Sequence, residues 1–151
     1  KQRQRVCFVE KAKETNTSIL SGLYLMQGGE VFATVEDWDK EYFKKNGYFK
    51  FLTPEDVSSR KEIFKVSYTG FGWLLVKKGV FESLDYPWVQ PTWFDEDGIR
   101  EMTTTDCGFM HRAAEKGHHT YIDPLNRDEG PHPDRREGRR AGHHSGSYRG
   151  G

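Results

Sequence analysis

Apolar residues fall in short bursts separated by glycine, proline and clusters of charge, and the spacing inside the bursts changes along the chain. Residues 1–14 are polar, with Val6, Val9 and Ala12 near helical spacing, which predicts a helix ending around Asn16. Residues 18–25 form an apolar run with Gly22 inside it. Its length suits a buried strand, and the glycine permits a bulge or a close backbone approach. Gly28-Gly29 predicts a turn and residues 31–35 a second short strand. In residues 37–46, Trp38, Tyr42 and Phe43 repeat at helical spacing and Asn46-Gly47 supplies a stop. Thr53-Pro54-Glu55-Asp56 reads as the start of a brief helix: a hydroxyl cap, a proline in the first turn, and acids against the helix dipole.

Two strand-like runs follow, residues 64–69 and 71–76, broken by Gly70 and Gly72. Residues 78–84 predict a helix stopped before Pro87, and the aromatic, proline-punctuated stretch to Phe94 predicts an ordered loop. Thr103-Thr104-Thr105-Asp106 offers capping hydroxyls and a first-turn acid to a helix running to about Lys116, with Gly117 as its stop. Residues 118–122 predict a last strand closed by Asp123-Pro124. Strands alternating with helices, without a clean βαβαβ series, predict an α/β domain with a mixed sheet flanked by helices. Residues 127–151 contain no Leu, Ile, Val, Met, Phe or Trp. Such a segment cannot bury enough apolar surface to offset its ordering entropy, so a disordered Gly/Arg/His tail is expected after a domain spanning residues 1–126.

Composition narrows the function classes. The formal net charge is zero, which removes any bulk attraction to nucleic acid or anionic lipid and makes the Arg-Gly-Gly ending a weak sign of RNA contact. Cys7 and Cys107 lie too far apart in sequence to suggest a disulfide framework or a metal cluster. No apolar run approaches the roughly 20 residues of a membrane helix, and no signal-peptide pattern follows the basic start. No membrane association and a cytoplasmic location are therefore expected. Residue 1 is Lys, and the chain is expected to be a fragment of a longer protein or a processed product.

Four groups of residues carry candidate chemistry. Tyr68-Thr69-Gly70-Phe71-Gly72-Trp73 places an aromatic between two glycines, where backbone can pass close to a flat ligand and ring faces suit sugars. Alone it reads equally as a kinked strand with core aromatics. Trp88 and Trp93 flank a loop that could be a binding platform or the plug at a core edge. Asp106, at a helix start, is either a capping acid or a carboxylate held ionised for base chemistry. The histidines show no metal-ligand spacing within residues 1–126.

The order of these pieces is more specific than any one of them. Ser21-Gly22-Leu23-Tyr24, Thr69-Gly70-Phe71-Gly72, Val80-Phe81-Glu82, Pro87-Trp88, then Asp106 with Phe109, and Tyr121-Ile122-Asp123-Pro124 together resemble the GT-A-type glycosyltransferase-like proteins of bacteriophages and environmental bacteria. The resemblance covers residues 1–126, matching the C-terminal part of that domain. Val89 stands where a Phe is usual and Thr105 where a Glu is usual. No Asp-x-Asp precedes the Ser21-Gly22 strand; Asp37-Trp38-Asp39 fits by letters but lies after it.

The resemblance implies a partial GT-A-like fold and transfer of a sugar from a nucleotide-sugar donor to a glycan or other hydroxyl acceptor, assisted by Mn²⁺ or Mg²⁺. Asp106 would be the catalytic base. Gly70, Phe71, Gly72 and Trp73 would line the donor–acceptor junction, Trp88 and Trp93 would hold the acceptor, and His132 would be a metal contact. Without the Asp-x-Asp half, the chain alone is expected to be inactive. The alternative is a non-catalytic carbohydrate- or partner-binding module on the same aromatic loops.

Overall fold

A computed structural model describes residues 7–128. Helix α1 (Phe8–Glu14) buries Ala12 and ends where Asn16 turns left-handed, with φ of 51°. Strand β1 (Ile19–Tyr24) is almost wholly buried, as its unbroken apolar run predicts. Strand β2 (Thr34–Val35) is all of residues 31–35 that pairs as a strand, although Phe32 also bridges to Leu25. Helix α2 (Lys40–Asn46) starts later than the sequence predicts, because the Asp39 carboxylate accepts the Tyr42 N–H at 2.9 Å and so caps the helix. Asp37-Trp38-Asp39 is therefore the turn that leads into α2, with the Asp39 N–H donating to the Asp37 carbonyl at 2.8 Å. Gly47, with φ of 79°, ends it. Helix α3 (Pro54–Val57) has the expected start: the Thr53 hydroxyl accepts the Asp56 N–H, and the Asp56 carboxylate accepts the Thr53 N–H.

The two runs around Gly70 divide differently from their prediction. Residues 64–69 split into β3 (Phe64–Val66) and β4 (Tyr68–Thr69), which belong to different sheets. Phe71–Trp73 forms a 3-10 turn, and only Leu74–Val76 continues as strand β5. The helix predicted over residues 78–84 shrinks to a 3-10 turn at Phe81–Ser83, because Gly79 holds a φ of 99° that no helix tolerates.

Part of the stretch read as a loop is strand β6 (Trp93–Glu96), which pairs with β7 (Ile99–Met102) in a hairpin. Asp97 and Gly98 both have positive φ, the two-residue turn that Asp-Gly favours. Helix α4 (Thr105–Glu115) and its Gly117 stop agree with the sequence. Strand β8 (Thr120–Asp128) does not close at Asp123-Pro124 but runs on into the stretch expected to lack structure. Residues 129–151, the rest of that stretch, lie outside the described residues, as do residues 1–6 of the predicted first helix.

The main sheet has the order β3-β8-β1-β5. Its central pair, β1 and β8, is parallel, and both outer strands are antiparallel to their neighbours, so the sheet is mixed. The β1–β8 register breaks between Ser21↔Ile122 and Leu23↔Arg127, leaving residues 123–126 bulged opposite Gly22. Pro124 has no N–H to offer a ladder and sits in that bulge. Asp123 is buried there, but its carboxylate accepts the Leu125 N–H at 3.1 Å and the Asn126 amide at 2.6 Å.

Two apolar clusters hold the domain together. Phe109, Met110 and Ala113 of α4 pack with Ile19, Val80 and Leu84. Leu23, Phe32, Leu52, Val57, Val66 and Ile122 form the second. At Gly108 the segment before β6 crosses α4 so closely that a Cβ would overlap the Gln90 carbonyl oxygen and stand 3.1 Å from the Thr92 nitrogen.

Gly108→Ala is expected to destabilise the domain by about 1–3 kcal/mol through this overpacking, read as a lower urea midpoint with an unchanged slope; an unchanged midpoint contradicts the crossing. Thr53→Ala is expected to lose about 1 kcal/mol at neutral pH. The Thr53 N–H and hydroxyl hold the Asp56 carboxyl below the usual carboxylate range. That contribution is complete above the ordinary carboxylate pKa and lost as pH falls through the lowered one. The Thr53→Ala deficit should therefore shrink in strong acid, as urea unfolding at neutral and acid pH would report.

Candidate functional site

The site is assembled where the start of α4 meets β4 and the 3-10 turn after it. Asp106 lies in the first turn of α4, where the helix dipole favours a negative charge. Its Oδ1 accepts the Cys107 N–H at 2.9 Å and the Thr104 hydroxyl. Thr104 is the N-cap residue, yet its hydroxyl is spent on Asp106 and makes no bond to the helix backbone. Oδ2 accepts the Tyr68 hydroxyl at 2.9 Å. Burial, and then the Asp106 charge, push the Tyr68 phenol far above its ordinary value, so it stays protonated and donates. The same causes push the Cys107 thiol up to about 11.

Beside this pair, Tyr24 at the end of β1 lies against the glycines of the turn. A Cβ on Gly72 would stand 2.7 Å from Tyr24 Cζ, one on Gly70 would overlap its hydroxyl, and the Gly72 N–H donates to that hydroxyl at 3.2 Å. The close approach that Gly70 and Gly72 permit is made by a ring of the chain itself. Tyr24 is also near enough to Tyr68 to interact with it electrostatically.

Phe71 and Trp73 leave the turn in different directions. Phe71 meets Phe109 edge to face at 5.5 Å, and Trp73 packs on Phe8 at 5.9 Å. A Cβ on Gly22 would lie 2.8 Å from the Trp73 ring and 2.7 Å from the Asn126 carbonyl oxygen, so Gly22 makes room for both. Ser21 donates its hydroxyl to the Trp73 carbonyl at 2.7 Å. Phe71 and Trp73 each remain more than a third exposed.

Trp88 joins the same side of the molecule through a chain of rings. Phe81 lies 5.2 Å from Phe109 and 5.5 Å from Trp88, and Tyr86 lies 5.8 Å beyond Trp88. The loop that carries Tyr86 and Trp88 is anchored on α4: the Arg112 guanidinium donates to the carbonyls of Asp85 at 2.6 Å, Pro87 at 2.9 Å and Trp88 at 3.2 Å. Trp93 stands apart from this group. It is exposed on the hairpin, paired across the ladder with Met102, with the Arg100 guanidinium 5.1 Å from its ring centre.

The fold thus gathers Asp106, Gly70, Phe71, Gly72 and Trp88 around the first half of α4, with Trp73 on the adjoining face of the turn. His132 lies outside the described residues. Among the described residues, no group of three or more His, Cys, Asp or Glu side chains can hold a metal ion, so no metal ligand set accompanies Asp106 there. No helix among them is long and apolar enough to cross a membrane. Sequence reasoning named Tyr68 and Tyr24 within its motifs but gave a role to neither, nor to Arg112. A partner 38 positions away, as Tyr68 is from Asp106, leaves no trace in local periodicity. The signal within reach was a tyrosine two residues before the first glycine of the turn.

In comparisons with known proteins, no family model, no curated protein and no solved structure matches this chain.

The two thiols supply a direct check on this geometry. Cys7 is exposed, whereas Cys107 is half-buried with a raised pKa. Alkylation by iodoacetamide at pH 8, mapped by mass spectrometry, should label Cys7 and spare Cys107 until the chain is unfolded or the pH nears 11. Equal labelling of both in the folded chain would contradict the half-buried placement of Cys107.

Proposed function

We propose that this chain forms the acceptor side of a GT-A-type glycosyltransferase domain, with Asp106 as the general base. The observation that carries the reading is the Asp106–Tyr68 pair beside half-exposed aromatic rings. Each carboxylate oxygen has two lone pairs. Oδ2 uses one for Tyr68, which leaves one to receive a proton. A sugar stacked on Phe71, which packs on Phe109 of the same helix, would bring a hydroxyl to Asp106. As its oxygen bonds to the anomeric carbon of the donor, the bond to the nucleoside diphosphate breaks and the hydroxyl proton passes to Oδ2. Tyr68, held protonated, orients the carboxylate and steadies its charge before the transfer. The divalent metal that the family resemblance implies finds no ligand set among the described residues, and the base chemistry does not depend on it.

A second reading is favoured by one observation. Tyr86 and Trp88 are exposed on a loop clamped by three Arg112 hydrogen bonds, and rigid exposed aromatics are what a carbohydrate-binding module needs.

Saturation-transfer NMR with a panel of oligosaccharides, followed by transfer assays with UDP- and GDP-sugars, separates the two. Glycan binding is expected to weaken about tenfold in Phe71→Ala or Trp88→Ala. Asp106→Asn should leave binding within about twofold but cut transfer about 10²–10⁴-fold in a chain that also carries a donor-binding half. Residues 1–151 alone are expected to turn over no nucleotide sugar, and turnover by them would overturn this division of labour. Glycan binding with no effect of Asp106→Asn on transfer would leave the binding module standing.

A further inference from the structure

Strand β8 carries the chain to Asp128, which pairs with Tyr24 of β1. Neighbouring strands lie about 4.8 Å apart. The Tyr24 ring in turn lies against Gly70 and Gly72, the residues on either side of Phe71. Residues 129–151 therefore start next to the turn of the candidate site. We propose that this segment docks through its arginines on the aromatic face formed by Phe71, Trp88 and Tyr86, and competes there with an acceptor.

The face suits a guanidinium-rich occupant better than the other exposed rings do. Phe71 is 39% exposed, Trp88 42% and Tyr86 82%. Cations stack on such ring faces, and arginine does so more often than lysine. At Phe64 and Trp93 that position is already filled from within the chain, by Arg60 at 4.2 Å and Arg100 at 5.1 Å. Phe71, Tyr86 and Trp88 carry no such cation among the described residues. Arg112, which touches the Trp88 backbone, spends its guanidinium on three carbonyls.

The charges are complementary. Residues 129–151 hold five arginines against three acids, and the whole chain is neutral, so this segment carries a formal +2 and residues 1–128 a formal −2. Glu82 follows Phe81 and Asp85 precedes Tyr86, and both are exposed. Neither they nor Asp106 forms an ion pair among the described residues.

The segment is also long enough. Arg135-Arg136 and Arg139-Arg140 begin seven residues past Asp128, a reach of about 25 Å when extended. From Phe71 the face runs to Trp88 through Phe109 and Phe81, by ring contacts of 5.5, 5.2 and 5.5 Å. Each arginine contact alone is weak. A short tether holds the arginines at about millimolar effective concentration, so contacts that bind only at that concentration in solution suffice here.

The docking itself is independent of glycosyl transfer; its competition with an acceptor rests on the reading above. The test compares the full ¹⁵N-labelled chain with a variant carrying Arg135→Gln, Arg136→Gln, Arg139→Gln and Arg140→Gln, through the tryptophan indole N–H resonances. These positions lie beyond β8, so the replacements leave the packed clusters alone. The Trp88 resonance should differ between the two proteins at low salt, and salt raised to about 1 M should bring the unsubstituted chain toward the variant. Trp93, already under Arg100, should not move. A glycan that binds the face should bind the variant about threefold more tightly, because the segment no longer occupies the rings in a fraction of the molecules. An identical Trp88 resonance in the two proteins, or equal glycan affinity, would overturn the proposal. So would a Trp88 shift produced only by replacing Lys1, Arg3 and Arg5 with Gln, which would assign the face to the other end of the chain. A Trp88 difference with no glycan binding by either protein would sink the acceptor reading and leave the docking in place.

Discussion

The parallel pairing of β1 with β8 is the constraint on which the rest of the structure depends. Parallel neighbours cannot be joined by a tight turn; the chain must leave the sheet and cross back. Here the crossing takes residues 25–119, and Asp106, Tyr68, Phe71, Trp73, Trp88 and Trp93 all lie on it. The two strands are also not interchangeable with a regular pair. Residues 123–126 bulge opposite Gly22, and the bulge is self-contained because the buried Asp123 carboxylate takes up the Leu125 N–H and the Asn126 amide. Gly22 is then crowded from two sides, by the Asn126 carbonyl and by the Trp73 ring. One glycine thereby couples the irregular strand end to the aromatic turn of the candidate site.

Helix α4 links that sheet to the surface chemistry. Its inner residues, Phe109, Met110 and Ala113, are almost wholly inaccessible and pack with Ile19 of β1. The same helix begins with Asp106 and carries Arg112, which ties down the Tyr86–Trp88 loop. Packed cores resist small displacements, so groups fixed to such a helix keep their mutual geometry. Asp106 is further restrained by donors from three residues, Tyr68, Thr104 and Cys107. The aromatic rings of the same region keep an open surface: Phe71 packs on Phe109, and Trp88 on Phe81 and Tyr86, yet Phe71 and Trp88 each stay partly exposed. The arrangement is a fixed carboxylate next to a partly open ring surface.

How much of this could be read in advance differs by element. Helix α4 was legible from its threonine-rich start, its acid and its Gly117 stop, because helix ends are signalled by neighbouring residues, although the Thr104 hydroxyl goes to Asp106 and not to the helix backbone. The α3 capping box was legible for the same reason. The β6–β7 hairpin was missed although Asp97-Gly98 is a hairpin turn signal, because the prolines and tryptophans just before it dominated the reading. The helix expected over residues 78–84 failed at Gly79, whose backbone sign cannot be told from composition. Strand β8 overran Asp123-Pro124 because a bulge can absorb a proline that a regular ladder cannot.

The sequence by itself determined a mixed α/β architecture, the buried first strand, the helix with Asp106 in its first turn, and the glycines on either side of Phe71. Each is encoded by residues within one turn or one strand of each other. Only the tertiary structure decided that Tyr68 would hold Asp106, that Tyr24 would fill the space over Gly70 and Gly72, that Trp93 would stand apart from Trp88, and that Lys65, His111 and His119 would line one cavity. Those pairings join segments tens of residues apart, and they follow from the strand register and the crossing of the chain over α4. Neither leaves a periodic mark along the sequence, because both are set by packing in three dimensions.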